Sequence, residues 1–212
     1  MLKPYQREFI QLALDNKVLK FGEFTLKSGR HSPYFFNAGY FNTGNALADL
    51  GHHYAQTIID SKIQYDGIFG PAYKGIPLVA SIAIALARDF NHNTPYSFNR
   101  KEVKDHGEGG SIVGAVLQGR ILIVDDVITA GTAIRQSAEI IHDAGATIAG
   151  IVLAFDRQER GQGKQSAVQE LQSSLNVPVI SIVRFQDIRE FMHADPNVHA
   201  RLAAYHAEFG VQ

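Results

Sequence analysis

The order of apolar and polar positions predicts helices and strands that alternate along most of the chain. From position 65 onward the pattern predicts strands at 65–71, 94–100, 119–126, 147–156 and 177–184, and helices at 75–90, 132–145 and 164–176. Ile121 to Val124 and Ile148 to Phe155 are continuously apolar runs. Strands that are apolar on both sides must be covered on both faces. The pattern therefore predicts an α/β fold with a mostly parallel central sheet flanked by helices.

The first 60 residues have a different pattern. Phe9, Ala13 and Lys17, with Ile10, Leu14 and Val18, lie at helical spacing and predict an opening helix over 5–19. Two short apolar runs around Ser28-Gly29-Arg30 predict a hairpin over 22–39, because serine and glycine supply the turn. A second helix is predicted at 43–60, and helical segments follow residue 184.

Composition limits the classes of function. The 212 residues are 45% hydrophobic, which is enough for one well-buried domain. Lys plus Arg (20) nearly balances Asp plus Glu (21), so the overall charge gives no case for nucleic-acid or membrane binding. Cysteine is absent, which excludes disulfides and Cys-ligated metals. With no continuous apolar segment at the N-terminus and none of membrane-spanning length, we expect a soluble cytoplasmic protein.

The loops at the carboxyl ends of the predicted strands carry the candidate chemistry. Ligands of parallel α/β sheets bind beyond these ends, which places the relevant loops after Phe69, Val124 and Phe155. The segment after Val124, "DDVITAGTA" (residues 125–133, the acidic loop), has two carboxylates and a Thr/Gly-rich turn that leads into a helix. Free N–H groups at a helix N-terminus bind anions, and small residues leave room for a phosphate.

The acidic loop could simply cap the N-terminus of the helix that follows it. A single N-cap uses one side chain, however, and this loop has two acids and two threonines around a glycine. The two commonest phosphate-binding motifs, G-x-x-x-x-G-K-[ST] and G-x-G-x-x-G after a strand, are absent. The absence of both motifs argues against a P-loop NTPase and against a dinucleotide-binding enzyme. A phosphate site of another kind is predicted.

The segment "ILIVDDVITAGTA" resembles the signature of the type I phosphoribosyltransferases. In that family it binds the 5-phosphate and the ribose hydroxyls of phosphoribosyl pyrophosphate (PRPP). The resemblance implies that the whole acidic loop contacts PRPP: Asp125, Asp126, Val127, Ile128, Thr129, Ala130, Gly131, Thr132 and Ala133. The loop "GPAYKGIP" (residues 70–77, the lysine loop) matches the family's pyrophosphate loop through Tyr73 and Lys74.

Two further segments resemble the orotate phosphoribosyltransferases of bacteria. "FTLKSGRHSPYFFN" is similar to their N-terminal hood (about 1–40), where Lys27 would approach PRPP and Phe35 and Phe36 would flank the pyrimidine. Neighbouring residues of a strand point to opposite faces, so at most one of these rings can stack fully, and ordinary packing is the alternative. In "AFDRQERG", Arg157 follows a predicted strand and could bind a carboxylate bidentately. Orotate carries a carboxylate and the purine bases do not, so Arg157 favours orotate. The resemblance also implies that Thr129 lies at the orotate site.

The segment "RKEVKDHGEGG" has cations, acids and glycines but only one apolar residue, Val103. A charged run is usually a solvated surface loop. Here it resembles the mobile flap of the family (about 100–112, the flap), with Arg100, Lys101, Lys104 and His106 as contacts to PRPP and pyrophosphate. Glycines would allow the flap to open and close.

The resemblance spans essentially the whole chain as a single domain, 1–212. It implies a glycosyltransferase of pyrimidine biosynthesis that forms orotidine 5'-monophosphate and pyrophosphate from orotate and PRPP. Catalysis would rest on Lys74, on Arg100, Lys101, Lys104 and His106 of the flap, and on Asp125 and Asp126. Mg²⁺ is the implied cofactor, carried by PRPP with both aspartates nearby and no direct protein ligand assigned. The implied assembly is a homodimer that shares its flaps between subunits.

Two alternatives remain open from the sequence. One is a phosphoribosyltransferase for another base, such as a purine; Arg157 and Lys27 argue against it. The other is a PRPP-sensing regulator that keeps the fold without catalysis. The near-neutral charge and the full set of flap cations argue against a regulator.

Overall fold

The computed structural model describes residues 2–26, 29–104, 110–161 and 163–211, with the backbone alone at 102–104 and 110. Most of its helices and strands follow the predicted order. The helices are α1 (Pro4–Asp15), α2 (Gly44–Ser61), α3 (Gly75–Phe90), α4 (Thr132–Asp143), α5 (Ala167–Leu175), α6 (Phe185–Phe191) and α7 (Pro196–Phe209). The strands are β1 (Leu19–Thr25), β2 (His31–Phe36), β3 (Gly67–Gly70), β4 (Tyr96–Lys104), β5 (Gly110–Gly114), β6 (Arg120–Asp125), β7 (Thr147–Asp156) and β8 (Val179–Arg184).

The central sheet of the described chain has the strand order β5-β4-β3-β6-β7-β8. All neighbouring strands in it are parallel except β4 and β5, which confirms the predicted mostly parallel sheet. The strands β3, β6 and β7 are adjacent and parallel, so their carboxyl ends lie at one edge. That edge carries the lysine loop, the acidic loop and Arg157.

Both faces of the sheet are covered. On β6 the alternating residues Leu122 and Val124 face a core built with α1, α2 and α3, whereas Ile121 and Ile123 face a second core built with α4 and α5. All four side chains are almost fully buried. The continuous apolar runs in the sequence therefore correspond to strands buried on both sides, as expected.

The predicted N-terminal hairpin is confirmed as a separate two-stranded antiparallel sheet, β1 and β2. It begins earlier than predicted, at Leu19, because α1 ends at Asp15. Lys17 and Val18, assigned to the helix from spacing alone, lie beyond it, and Lys17 has a φ of 58° that no α-helix continues.

The flap prediction needs a correction at its ends. Residues 100–110 were predicted as a loop, but the structure extends β4 to Lys104 and starts β5 at Gly110, as an antiparallel pair at the sheet edge. The backbone of 100–104 is therefore strand rather than loop. A β-ladder needs only backbone hydrogen bonds, so a charged sequence without an apolar face can still form it.

Candidate functional site

The lysine loop leaves β3 and turns directly into α3. A Cβ atom on Gly75 would lie 2.6 Å from the carbonyl carbon of Gly70, so the close turn requires glycine there. The N–H of Gly75 donates to the Pro71 carbonyl at 2.9 Å. Tyr73 is 64% exposed and the Lys74 side chain 61% exposed, so both project from the loop into solvent.

The lysine loop is also fixed from outside. The backbone N–H of Ala72 donates to the Asn99 Oδ1 atom on β4 at 2.8 Å. Two residues further along β4, Lys101 Nζ lies 4.8 Å above the centre of the Tyr73 ring. The first part of the flap therefore contacts the lysine loop within the same chain.

The acidic loop leaves β6 at Asp125 and is held on two sides. Tyr54 on α2 donates its hydroxyl to the Asp125 carbonyl at 2.7 Å. The Asp126 carbonyl accepts from the Ala154 N–H of β7 at 3.0 Å. These contacts fix the backbone that aims both carboxylates at the edge of the sheet.

The second half of the acidic loop forms the predicted small-residue turn. Gly131 precedes α4 with a φ of 73°, a left-handed conformation that favours glycine, and no side chain caps the helix. Thr129, Ala130, Thr132 and Ala133 are exposed around it. By contrast, Val127 and Ile128 pack their side chains against the cores, which leaves only their backbone groups available for binding.

Lys74 and Asp126 join the two loops. Lys74 Nζ donates to Asp126 Oδ2 at 2.7 Å, and the Asp126 side chain is 14% exposed. Asp125 lies beside it and is also half-buried. Burial, followed by the charge of Asp126, raises the pKa of Asp125 to about 7. The edge therefore holds one cation and two carboxylates within a single cluster.

Arg157 follows the carboxyl end of β7 and, with the lysine loop and the acidic loop, is the third group predicted at this edge. Its guanidinium Nε and Nη2 donate to Glu159 Oε1 at 3.1 and 2.8 Å. Its centre lies 5.0 Å from the Tyr34 ring. Burial alone would lower the pKa of Arg157, but the neighbouring Tyr34 and Glu159 outweigh burial and raise it. The Nε and Nη2 side of the Arg157 guanidinium, which could bind a carboxylate bidentately, is therefore already bound to Glu159.

The two phenylalanines of the hairpin point in opposite directions, as strand geometry requires. Phe36 is 8% exposed, and its ring centre lies 5.1 Å from that of Phe155 in the core. Phe35 is only half-buried and stacks on Phe24 with ring centres 5.5 Å apart. Of the pair, Phe35 is therefore the more accessible ring.

The remaining predicted cations are described only in part. Arg100 is half-buried on β4, and Lys101 is exposed. The backbone of Lys104 belongs to β4. Lys27 and His106 lie outside the described residues, so their predicted contacts stay predictions.

The part of the chain that the structure describes has no group of three or more His, Cys, Asp or Glu side chains arranged to hold a metal ion. The paired oxygens of Asp125 and Asp126 remain suitable for a hard cation whose other ligands come from water and a substrate. This donor set fits Mg²⁺ better than a metal held in a protein cage.

Sequence reasoning did not single out Asn99, Tyr34 or Glu159. Asn99 lies in an ordinary strand segment, and nothing in the sequence indicates its contact with Ala72. Glu159 had one available signal, since a carboxylate two residues after an arginine at a strand end can pair with it. Tyr34 gave none, because its partner Glu159 is 125 positions away.

The fold and the three loops at one edge are those of the phosphoribosyltransferase class. The family model described as "Phosphoribosyl transferase domain" matches residues 39–183. Of the curated relatives, the orotate phosphoribosyltransferases of Escherichia coli O45:K1 and Salmonella newport are 59% and 58% identical over 213 residues, covering 99% of this chain and 100% of each relative. The crystal structure of an orotate phosphoribosyltransferase from Francisella tularensis is 47% identical, with a TM-score of 0.89, over 96% of this chain and 99% of that one.

The chain belongs to the orotate phosphoribosyltransferase family. The resemblance inferred from the sequence motifs is thereby confirmed. Among the residues that the structure describes, no helix combines the length and the apolar character needed to cross a membrane.

Proposed function

We propose that this protein transfers the 5-phosphoribosyl group of PRPP to orotate and releases pyrophosphate, forming orotidine 5'-monophosphate in pyrimidine biosynthesis. The observation that carries the proposal is the arrangement at one sheet edge. Lys74, Asp126 and Arg157 follow three adjacent parallel strands, and each offers a group that a different part of the two substrates needs.

The leaving group is the first requirement. The bond between the ribose C1 and pyrophosphate breaks, negative charge accumulates on pyrophosphate, and orotate N1 forms a bond to C1 and gives up its proton to water or to the released pyrophosphate. Lys74, Arg100, Lys101, Lys104 and His106 are the proposed positive groups. In the described structure Lys74 is paired with Asp126, and a bound pyrophosphate group offers the ammonium a more highly charged partner.

The acidic loop is proposed to hold the rest of PRPP. The 5-phosphate would lie at the N-terminus of α4, where Thr129, Thr132 and free backbone N–H groups converge around Gly131. Asp125 and Asp126 would orient the ribose hydroxyls. Their negative charge also lies where the ribose ring becomes positive as the C1 bond breaks.

Orotate is proposed to bind beside Arg157. The guanidinium carries five N–H donors, and Glu159 uses two of them. The donors that remain can meet the carboxylate of orotate, which no purine base presents. Phe35, Phe36, Thr129 and Lys27 are the other proposed contacts, with Phe35 the more accessible ring.

Mg²⁺ is the proposed cofactor. When bound to PRPP it would neutralise charge on the pyrophosphate oxygens. Asp125 and Asp126 would hold it through the ribose hydroxyls and waters, and Lys74 would complete the positive surroundings. This role fits the two carboxylates of the acidic loop, since Mg²⁺ takes few protein ligands and keeps several waters.

We further propose that the chain forms a single domain with a hood at about 1–40 and that the protein is cytoplasmic. We also propose a homodimer in which the flap of each subunit covers the partner's PRPP. The support for a shared flap is its length and its position at the sheet edge. β4 and β5 form a hairpin at the outer side of the sheet, and six of its residues at 100–110 are charged at neutral pH.

The test is pyrophosphate release by the purified protein with orotate, PRPP and Mg²⁺. Pyrophosphate should be released in proportion to orotate consumed, and EDTA should stop the release. Pyrophosphate release with adenine or hypoxanthine and none with orotate would contradict the proposal.

A further inference from the structure

Glu159 lies at the centre of a buried charge cluster behind Arg157. The side chains of Arg157 and Glu159 are 15% and 12% exposed. Glu159 Oε1 accepts hydrogen bonds from Arg157 Nε, from Arg157 Nη2 and from the Tyr34 hydroxyl, the last at 2.5 Å. Arg30 Nη1 lies 4.0 Å from the other carboxylate oxygen, Oε2. One carboxylate therefore binds an arginine and a tyrosine and lies beside a second arginine.

These contacts fix the orientation of the Arg157 guanidinium. Two hydrogen bonds to one carboxylate oxygen restrict rotation about the side chain, and the Tyr34 ring lies against the guanidinium centre at 5.0 Å. Nη1 and the second N–H of Nη2 are the donors left for an external carboxylate. The direction in which those donors point is set by Glu159.

The cluster also has a suitable charge. Arg30, Arg157 and Glu159 together carry one net positive charge, which a single anionic substrate group neutralises. A buried Arg157 without Glu159 would be an uncompensated charge, which is unfavourable in a low-dielectric site. Glu159 therefore offsets the burial of Arg157 while leaving the cluster attractive to an anion.

The backbone around Glu159 is itself held in place. The Arg160 N–H donates to the Phe209 carbonyl at 2.8 Å, and the Val211 N–H donates to the Gln158 carbonyl at 2.9 Å. Tyr34, on the other side, belongs to β2 of the two-stranded sheet. Glu159 is thus supported by the C-terminal segment and by the hairpin, and the Tyr34 ring of the hairpin also contacts Arg157 directly.

We propose that Glu159 is a positioning residue for substrate binding: it holds Arg157 so that the remaining guanidinium donors meet the carboxylate of the pyrimidine substrate, and it does not touch the substrate itself. This inference rests on the proposed function. It predicts an effect that is specific to the carboxylate substrate and that depends on the presence of Arg157.

The experiment measures KM for orotate, KM for PRPP and kcat in Glu159→Ala and Glu159→Gln. Loss of hydrogen bonds to a charged group should raise the orotate KM roughly ten- to a hundredfold in Glu159→Ala, with the PRPP KM changed by less than about twofold. Glu159→Gln keeps one acceptor oxygen without the charge and should be intermediate. Glu208→Ala, which removes an exposed carboxylate from α7, is the matched control and should match the wild type.

A double-mutant cycle separates positioning from general stabilisation. In the Arg157→Ala background, Glu159→Ala should change the orotate KM by less than about twofold, since the group through which it acts is gone. Tyr34→Phe removes only the hydroxyl that donates to Glu159 and should raise the orotate KM roughly two- to tenfold. If Glu159→Ala does not fold, Glu159→Gln and Tyr34→Phe decide the question.

Several results would overturn the inference. An equal rise of both KM values would indicate a structural role, and an unchanged orotate KM in Glu159→Gln and Tyr34→Phe would leave no positioning role. A lower orotate KM would mean that Glu159 competes with the substrate, and an undiminished effect in the Arg157→Ala background would remove the link to Arg157. A wild-type protein that does not use orotate would instead contradict the proposed function.

Discussion

Lys74 Nζ lies 2.7 Å from Asp126 Oδ2, and this ion pair joins two loops whose residues are 52 positions apart in the sequence. The pair connects the proposed pyrophosphate site to the proposed ribose site. Because the Lys74 side chain is 61% exposed, water screens the pair and it contributes little to stability. The arrangement therefore matters for the reaction more than for folding.

Replacing Lys74 should separate these two effects. In Lys74→Ala we expect kcat to fall roughly 10²- to 10³-fold, because a preorganised positive group near the leaving pyrophosphate is lost. The melting temperature should stay close to that of the wild type. Steady-state kinetics and thermal unfolding check both expectations, and Lys62→Ala, which removes an exposed lysine at the end of α2, is the control. A large loss of stability with normal kcat would mean that Lys74 supports folding and not the reaction.

The raised pKa of Asp125 predicts a pH dependence of stability. The carboxyl binds a proton up to about pH 7 in the folded state, whereas the ordinary pKa of an aspartate is 3.8. Between these values the folded state binds more protons than the unfolded state, so the Asp125 contribution to the free energy of unfolding falls as pH rises. Denaturant unfolding from pH 4 to 8 should show a wild-type stability that declines relative to Asp125→Asn up to about pH 7 and then levels off. A constant difference across this range would mean that burial does not raise this pKa.

Asn99 should matter through the lysine loop. In Asn99→Ala the Ala72 N–H loses its acceptor, and the loop that presents Tyr73 and Lys74 keeps, of its contacts with Asn99 and Lys101 on β4, only the Lys101 contact with Tyr73. We expect the PRPP KM to rise roughly two- to tenfold with little change in the orotate KM. Asn93→Ala, an exposed asparagine on the connection before β4, serves as the control. Equal changes in both KM values would show that Asn99 supports the whole edge.

Much of the fold could be predicted from the sequence, because the buried strands have continuous apolar runs and their order implies a parallel sheet. β4 was predicted as far as Arg100, but its charged extension to Lys104 and its pairing with β5 were not, since backbone hydrogen bonds at a sheet edge leave no apolar pattern. The end of α1 was also misplaced, because Lys17 and Val18 continue the helical spacing while the backbone turns.

The candidate site likewise has residues that the sequence predicted and contacts that it did not. Lys74, Asp126 and Arg157 were predictable because each follows a recognisable strand, and parallel strands bring their carboxyl ends to one edge. The pairing of Arg157 with Glu159 and Tyr34 was not, because it depends on how the hairpin packs against the end of β7. Contacts between distant segments leave no local signal in the sequence.

The shared flap can be tested with two inactive variants. One carries Lys101→Ala with Lys104→Ala in the flap, and the other carries Asp125→Asn with Asp126→Asn in the acidic loop. If each flap serves the partner, a mixed dimer has one site with both defects and one intact site. After denaturing, mixing one to one and refolding, half of the dimers are mixed, so roughly a quarter of full activity should return in a twofold assembly. Activity that stays at the average of the two parents, while mixed dimers are shown to form, would mean that the flap serves its own subunit.

The most direct test of the account is the loss of orotate absorbance when PRPP and Mg²⁺ are added to the purified protein. The arrangement of Lys74, the acidic loop and Arg157 predicts steady loss of orotate, a halt on adding EDTA, and no consumption of adenine or hypoxanthine under the same conditions. Unchanged orotate absorbance together with turnover of a purine base would contradict it.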